Sequence, residues 1–255
     1  MRNVILIGLC ACGLGAAADA PYVGKWKMNV AKSNFGETTI TYEQLPGGEM
    51  KATADGQSYT FKTDGKDNMT PWGVTAAWKA VDANTWETTN KTNGKVSGTS
   101  TLKLSADGKT MTVDSKNVKA DGGTSDDSTT FQRVSGGPGL AGKWKTKSLK
   151  TSSPEMMGLT QNGSDGLTLT YGNEGASCEA KFDGKGYPAK GTMWPAGWMC
   201  AIAKSGERAI DLTWKRDGKD LYKTTLAASA NGKVLTETGS AVGVNEKVTV
   251  VYDKQ

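Results

Sequence analysis

Histidine is absent from all 255 residues. Its absence removes the commonest general base and the commonest metal ligand, so no Ser-His-Asp, Cys-His or His-based zinc site can exist within the chain. Arginine is scarce. Beyond Arg2 only Arg133, Arg208 and Arg216 occur, and Arg is the usual choice for bidentate phosphate contacts. The net charge is +5, but lysines and acids are interspersed and no basic block tracks a phosphate backbone. A nucleic-acid partner is therefore excluded as an expectation. So is a membrane-surface role, because no amphipathic basic helix is visible. Long apolar runs are missing except near the start, so no membrane span is expected.

That one run belongs to a leader. Arg2 supplies a positive n-region, Val4 to Leu14 are apolar, and Ala16-Ala17-Ala18 offers a small-residue cleavage site. Residues 1–18 read as a signal peptide, which makes the product exported, periplasmic or extracellular. Lipoprotein processing at Cys12 is the alternative, with a poor lipobox in Leu9-Cys10-Ala11. The leader takes Cys10 and Cys12 with it. Cys178 and Cys200 remain, an even pair in an oxidising compartment, and a disulfide between them is expected.

What the chain does have, it has twice. Gly24-Lys25-Trp26-Lys27 returns as Gly142-Lys143-Trp144-Lys145, and Ser105-Ala106-Asp107-Gly108-Lys109 as Ser229-Ala230-Asn231-Gly232-Lys233. The order is kept, so the mature protein reads as two copies of one module of domain size. The expected partition is residues 21–134, a linker at 135–139, and residues 140–254. The linker reading rests on Ser135-Gly136-Gly137-Pro138-Gly139.

Each copy carries β signals. Leu167-Thr168-Leu169-Thr170-Tyr171 and Ile210-Asp211-Leu212-Thr213-Trp214 alternate apolar and polar residues, the pattern of half-buried antiparallel strands. Asp-Gly-Lys and Asn-Gly-Lys triplets at 64, 93, 107, 183, 217 and 231 read as tight turns, because these dipeptides accept positive φ. Seven to nine short strands per copy are expected, in an all-β fold of two tandem antiparallel up-and-down β-barrels. Asn29 to Phe35 alone suggests a single helical turn.

Gly-x-Trp on a first strand, a helical turn, a run of hairpins and a basic residue on the last strand resemble the lipocalin-like group of calycin β-barrels. Avidin-type barrels also open with Gly-x-Trp. The lipocalin-like resemblance implies that the Trp closes one end of the barrel under a cation from the last strand. Carried onto this chain, it pairs Trp26 with Arg133 and Trp144 with Lys254. A cation over an indole face is attractive and shields the ring from water.

Eight Trp stand against four Phe. Trp78 and Trp214 lie on alternating strands and read as core. Trp72 and Trp194 sit beside prolines at matching places in the two copies, a position suited to barrel mouths. With Trp198 and Met193 they form the candidate ligand-binding set, since aromatics at a mouth stack on flat rings and Met suits an adaptable apolar pocket. The competing reading is that these rings plug the barrel. The carboxylate groupings, among them Asp126-Asp127, read as solvated loop charges. The function expected is binding of a small apolar or aromatic ligand without catalysis, metal or cofactor. A structural role with filled barrels is the alternative, and a histidine-free isomerase or hydrolase the third.

Overall fold

The computed structural model describes residues 20–35, 38–192 and 194–255. The leader and Met193 lie outside the described residues. The first module forms β1 (Gly24–Met28), β2 (Thr39–Gln44), β3 (Met50–Ala54), β4 (Gln57–Phe61), β5 (Asp64–Met69), β6 (Val74–Asp82), β7 (Thr85–Thr92), β8 (Lys95–Leu104), β9 (Thr110–Val118) and β10 (Thr124–Ser135). The second forms β11 (Gly142–Thr151), β12 (Met156–Asn162), β13 (Gly166–Tyr171), β14 (Ala176–Lys181), β15 (Tyr187–Gly191), β16 (Trp198–Gly206), β17 (Ala209–Arg216), β18 (Lys219–Ala228), β19 (Val234–Ala241) and β20 (Val248–Lys254). Among the described residues each module thus holds ten strands, more than the seven to nine expected. The extra ones include the short β5, whose mostly exposed polar residues show no apolar alternation.

Turn chemistry explains much of this order. Asn93-Gly94 and Asp217-Gly218 both have positive φ at both positions, as does Asp55-Gly56, so each closes a two-residue hairpin whose twist suits the strands. The repeated Ser105 and Ser229 turns match bond for bond. In each the Ser hydroxyl accepts from a backbone N–H five residues on, Thr110 or Val234, at 3.0 Å. Asp64-Gly65-Lys66 corrects the expectation of a hairpin: it makes an irregularity within β5 instead. The helical turn appears as a single 3-10 turn, Val30–Lys32, capped by the Asn29 side chain, which accepts from Lys32 N–H.

The fold is all-β with two antiparallel sheet units, one a closed ten-stranded barrel and the other nearly closed. Their composition crosses the repeat. The closed barrel is β12 to β20 completed by β1, which pairs with β12 on one side and β20 on the other. The second sheet runs from β2 to β11, with β2 against β11 and edges at β4 and β5. Each module has given its opening strand to the other. Residues 135–139 therefore fall not between sheets but at a hairpin joining β10 to β11. The Arg133 guanidinium holds that loop by donating to the carbonyls of Gly137, Gly139 and Ala141 at 2.6–2.8 Å.

The exchange also corrects the expected cation–ring pairs. Arg133 lies over Trp144, 4.0 Å from the ring centroid, and Lys254 over Trp26 at 5.2 Å. Register decides it, because Trp144 stands opposite Arg133 and Trp26 opposite Lys254. Both indoles are fully buried. Each donates Nε1–H to the carbonyl four residues back, Tyr22 at 2.9 Å and Leu140 at 3.0 Å.

Apolar faces point inward in both units. Leu159, Leu169, Ile202, Leu212 and Leu226 fill the barrel, and Met50, Phe61, Trp78, Leu102 and Met111 fill the second sheet. Cys178 on β14 is bonded to Cys200 on β16, with their Cα atoms 6.3 Å apart. This bridge passes over β15, which pairs with β14 at only a few positions. At the corresponding place the second sheet is open, between β4 and β5.

Candidate functional site

The site is built where loops of the second sheet reach the barrel mouth. Trp198 opens β16, Trp214 lies near the end of β17 and Tyr171 ends β13, so period-two alternation brings all three to one end of the barrel interior. Trp194 lies parallel to Tyr171 at 6.1 Å and packs on Trp214 at 5.3 Å. Trp198 stacks on Tyr222 at 6.2 Å and meets Trp214 edge-on at 6.3 Å. Neighbouring rings at these separations gain beyond their burial alone.

Trp72 joins this cluster from the other unit. It sits in the turn between β5 and β6, packs partly buried against the barrel core, and donates Nε1–H to the Tyr222 hydroxyl at 3.0 Å. Its carbonyl accepts from Trp198 Nε1 at 3.0 Å and from Arg216 Nη1 at 2.8 Å. Gly73 follows with φ +83°, and a Cβ there would lie 1.6 Å from Arg216 Nη1, so the latch requires glycine. Asn93 adds a bond to the Trp194 carbonyl at 3.1 Å. Trp72 and Trp194, placed by sequence at the mouths of two barrels, thus join one cluster, each through Trp198. Trp198 lies with them, while Met193 is outside the described residues.

Beside the aromatic cluster runs a groove of about 520 Å³ between the two units. Thr41, Thr53, Asp55 and Lys143 line it from the second sheet, and Tyr222, Ser240, Val244 and Asn245 from the barrel. Tyr222 belongs to both groove and cluster. Its hydroxyl donates to Asp55 Oδ2 at 3.0 Å. Burial and the Asp55 charge hold that hydroxyl well above the usual tyrosine range, so it stays a donor. Volume and mixed lining fall within the range of small-ligand sites. Sequence reasoning missed Tyr222, Asp55 and Lys143. The Asp55-Gly56 turn was readable, but nothing local places a β3–β4 turn against β18.

Inside the barrel a polar pair lies among the apolar residues: the Tyr252 hydroxyl donates to Glu237 Oε2 at 3.1 Å. Burial pushes the Glu237 carboxyl up. Among the described residues no three acidic or cysteine side chains gather as a metal-ligand set. None of the helices described is long and apolar enough to cross a membrane. Compared with known proteins, the chain matches no family model, no curated protein and no solved structure.

Proposed function

We propose that this is an exported, non-catalytic, lipocalin-like binding protein. Its ligand sits in the groove at the barrel mouth, not in the barrel interior. The observation that carries this reading is the groove of about 520 Å³ walled by Tyr222 and backed by the Trp72–Trp198 cluster. Against an interior site, Trp198 and Trp214 are buried and pack into the apolar cluster that fills the barrel. A small amphipathic molecule fits the lining: an apolar or aromatic face against Tyr222 and Val244, with hydroxyls toward Asp55, Lys143 and Asn245. Export is supported by the leader pattern and by the Cys178–Cys200 disulfide.

The test is amide chemical-shift mapping with a panel of fatty acids, quinones and aromatic glycosides. Saturable shifts centred on Thr41, Asp55, Lys143 and Tyr222 are expected for at least one class. Tyr222→Ala should weaken that binding roughly ten- to a hundredfold, the effect of about 1–3 kcal/mol of lost aromatic contact. Silence across the panel would favour the filled-barrel, structural role. Shifts confined to the interior would move the site away from the groove.

A further inference from the structure

The two units meet a second time, away from the groove. The turn after β9 docks on the turn after β13, where Ala120 N–H donates to the Asn173 carbonyl at 2.8 Å. The fit is close: a Cβ on Gly175, whose φ is +58°, would lie 2.5 Å from the Ala120 Cβ. Asn173 also fastens the crossover from β11 to β12, its side chain donating to the Ser153 carbonyl at 2.9 Å. Between these contacts lies a cavity of about 210 Å³, with Asp127 and Leu149 on one side and Met28, Glu155 and Glu174 on the other.

Two of those carboxylates are placed differently. Glu155 Oε1 accepts from Met156 N–H at 2.8 Å and Asn173 N–H at 3.0 Å. Glu174 faces the same cavity, and its charged form is opposed by burial and by Glu155. The other groups around it are Lys119 from the β9–β10 turn and Asp127 from β10. Deeper in the barrel are Tyr171, Tyr252 and Glu237. Lys119 is already engaged by Asp121 at 3.7 Å.

We propose that this junction is a pH-operated contact: with Glu174 protonated the 172–175 turn stays docked on Ala120, and ionisation of Glu174 against Glu155 loosens it. Burial and Glu155 push the Glu174 carboxyl up to about 7, against an ordinary value of 4.5. The docked state holds the proton more tightly than the undocked one. Docking is therefore strongest below the ordinary value, weakens as pH rises toward 7, and is level above it.

Hydrogen exchange of the Ala120 amide in the mature protein tests this. After correction for the intrinsic exchange rate, protection should fall about tenfold or more between about pH 5 and about pH 8. Glu174→Gln should abolish most of that fall. Equal protection at both pH values, or an undiminished fall in the variant, would overturn the proposal. Should the variant not fold, carboxyl-carbon NMR of the unaltered protein decides. A Glu174 midpoint near 7 supports the contact, and one near the ordinary value refutes it.

Discussion

At the residue scale the two buried indoles govern the most. Trp26 and Trp144 occupy the same local setting, each with its Nε1–H on the carbonyl four residues earlier and a cation above. Truncating either to Ala removes a fully buried large side chain and should cost about 3–5 kcal/mol in chemical denaturation. A double-mutant cycle separates the pairs. Trp144 with Arg133 should couple by about 0.5–2 kcal/mol, and Trp26 with Arg133 by close to zero. Coupling of Trp26 to Arg133 would restore the pairing expected from module order. Both rings and both cations were legible as motifs. Their pairing was not, because it follows from the exchange of opening strands: Trp26 meets Lys254 at the far end of the chain, and Trp144 meets Arg133 across a hairpin that reads in the sequence as a linker between modules.

At the element scale, alternation and turn chemistry carried most of the reading. Leu167-Thr168-Leu169 and the Asn93-Gly94 and Asp217-Gly218 hairpins are as their residues imply. β5 escaped notice because its polar residues stay mostly exposed and share no apolar period. The disulfide was legible from compartment and count, but its role needed the strand order. It ties β14 to β16 across a sparsely paired β15, at the place where the other sheet is open. Reduction should destabilise the barrel by about 2–4 kcal/mol, read as an earlier urea transition of its Trp fluorescence. Mass spectrometry of the unreduced mature protein, without the leader's Cys10 and Cys12, should find no alkylatable thiol.

At the scale of the whole molecule, the strand exchange makes the two units one structure. The segment after β1 runs beside β20, with Asn29 N–H on the Val251 carbonyl and Asn34 N–H on the Thr249 carbonyl, both at 2.7 Å. Trp72 then crosses the other way to the barrel mouth. This is why the candidate site was only half legible. The sequence marks Trp72 as a mouth residue, but nothing in it says whose mouth. Removing the chain before residue 30 should open the barrel between β12 and β20, exposing two strand edges and the Leu159–Leu169 face. Dye binding to exposed apolar surface should rise, with loss of cooperative barrel unfolding. The exchange itself is tested most directly by paired cysteines. Lys27 stands opposite Asp253 on β20, whereas the equivalent Lys145 stands opposite Gln132 on β10. Oxidised Lys27→Cys/Asp253→Cys protein should give the 27–253 cross-linked peptide in high yield, and Lys27→Cys/Gln132→Cys protein should give none. A cross-link between 27 and 132 instead would show that β1 stays in its own module, contradicting the exchange.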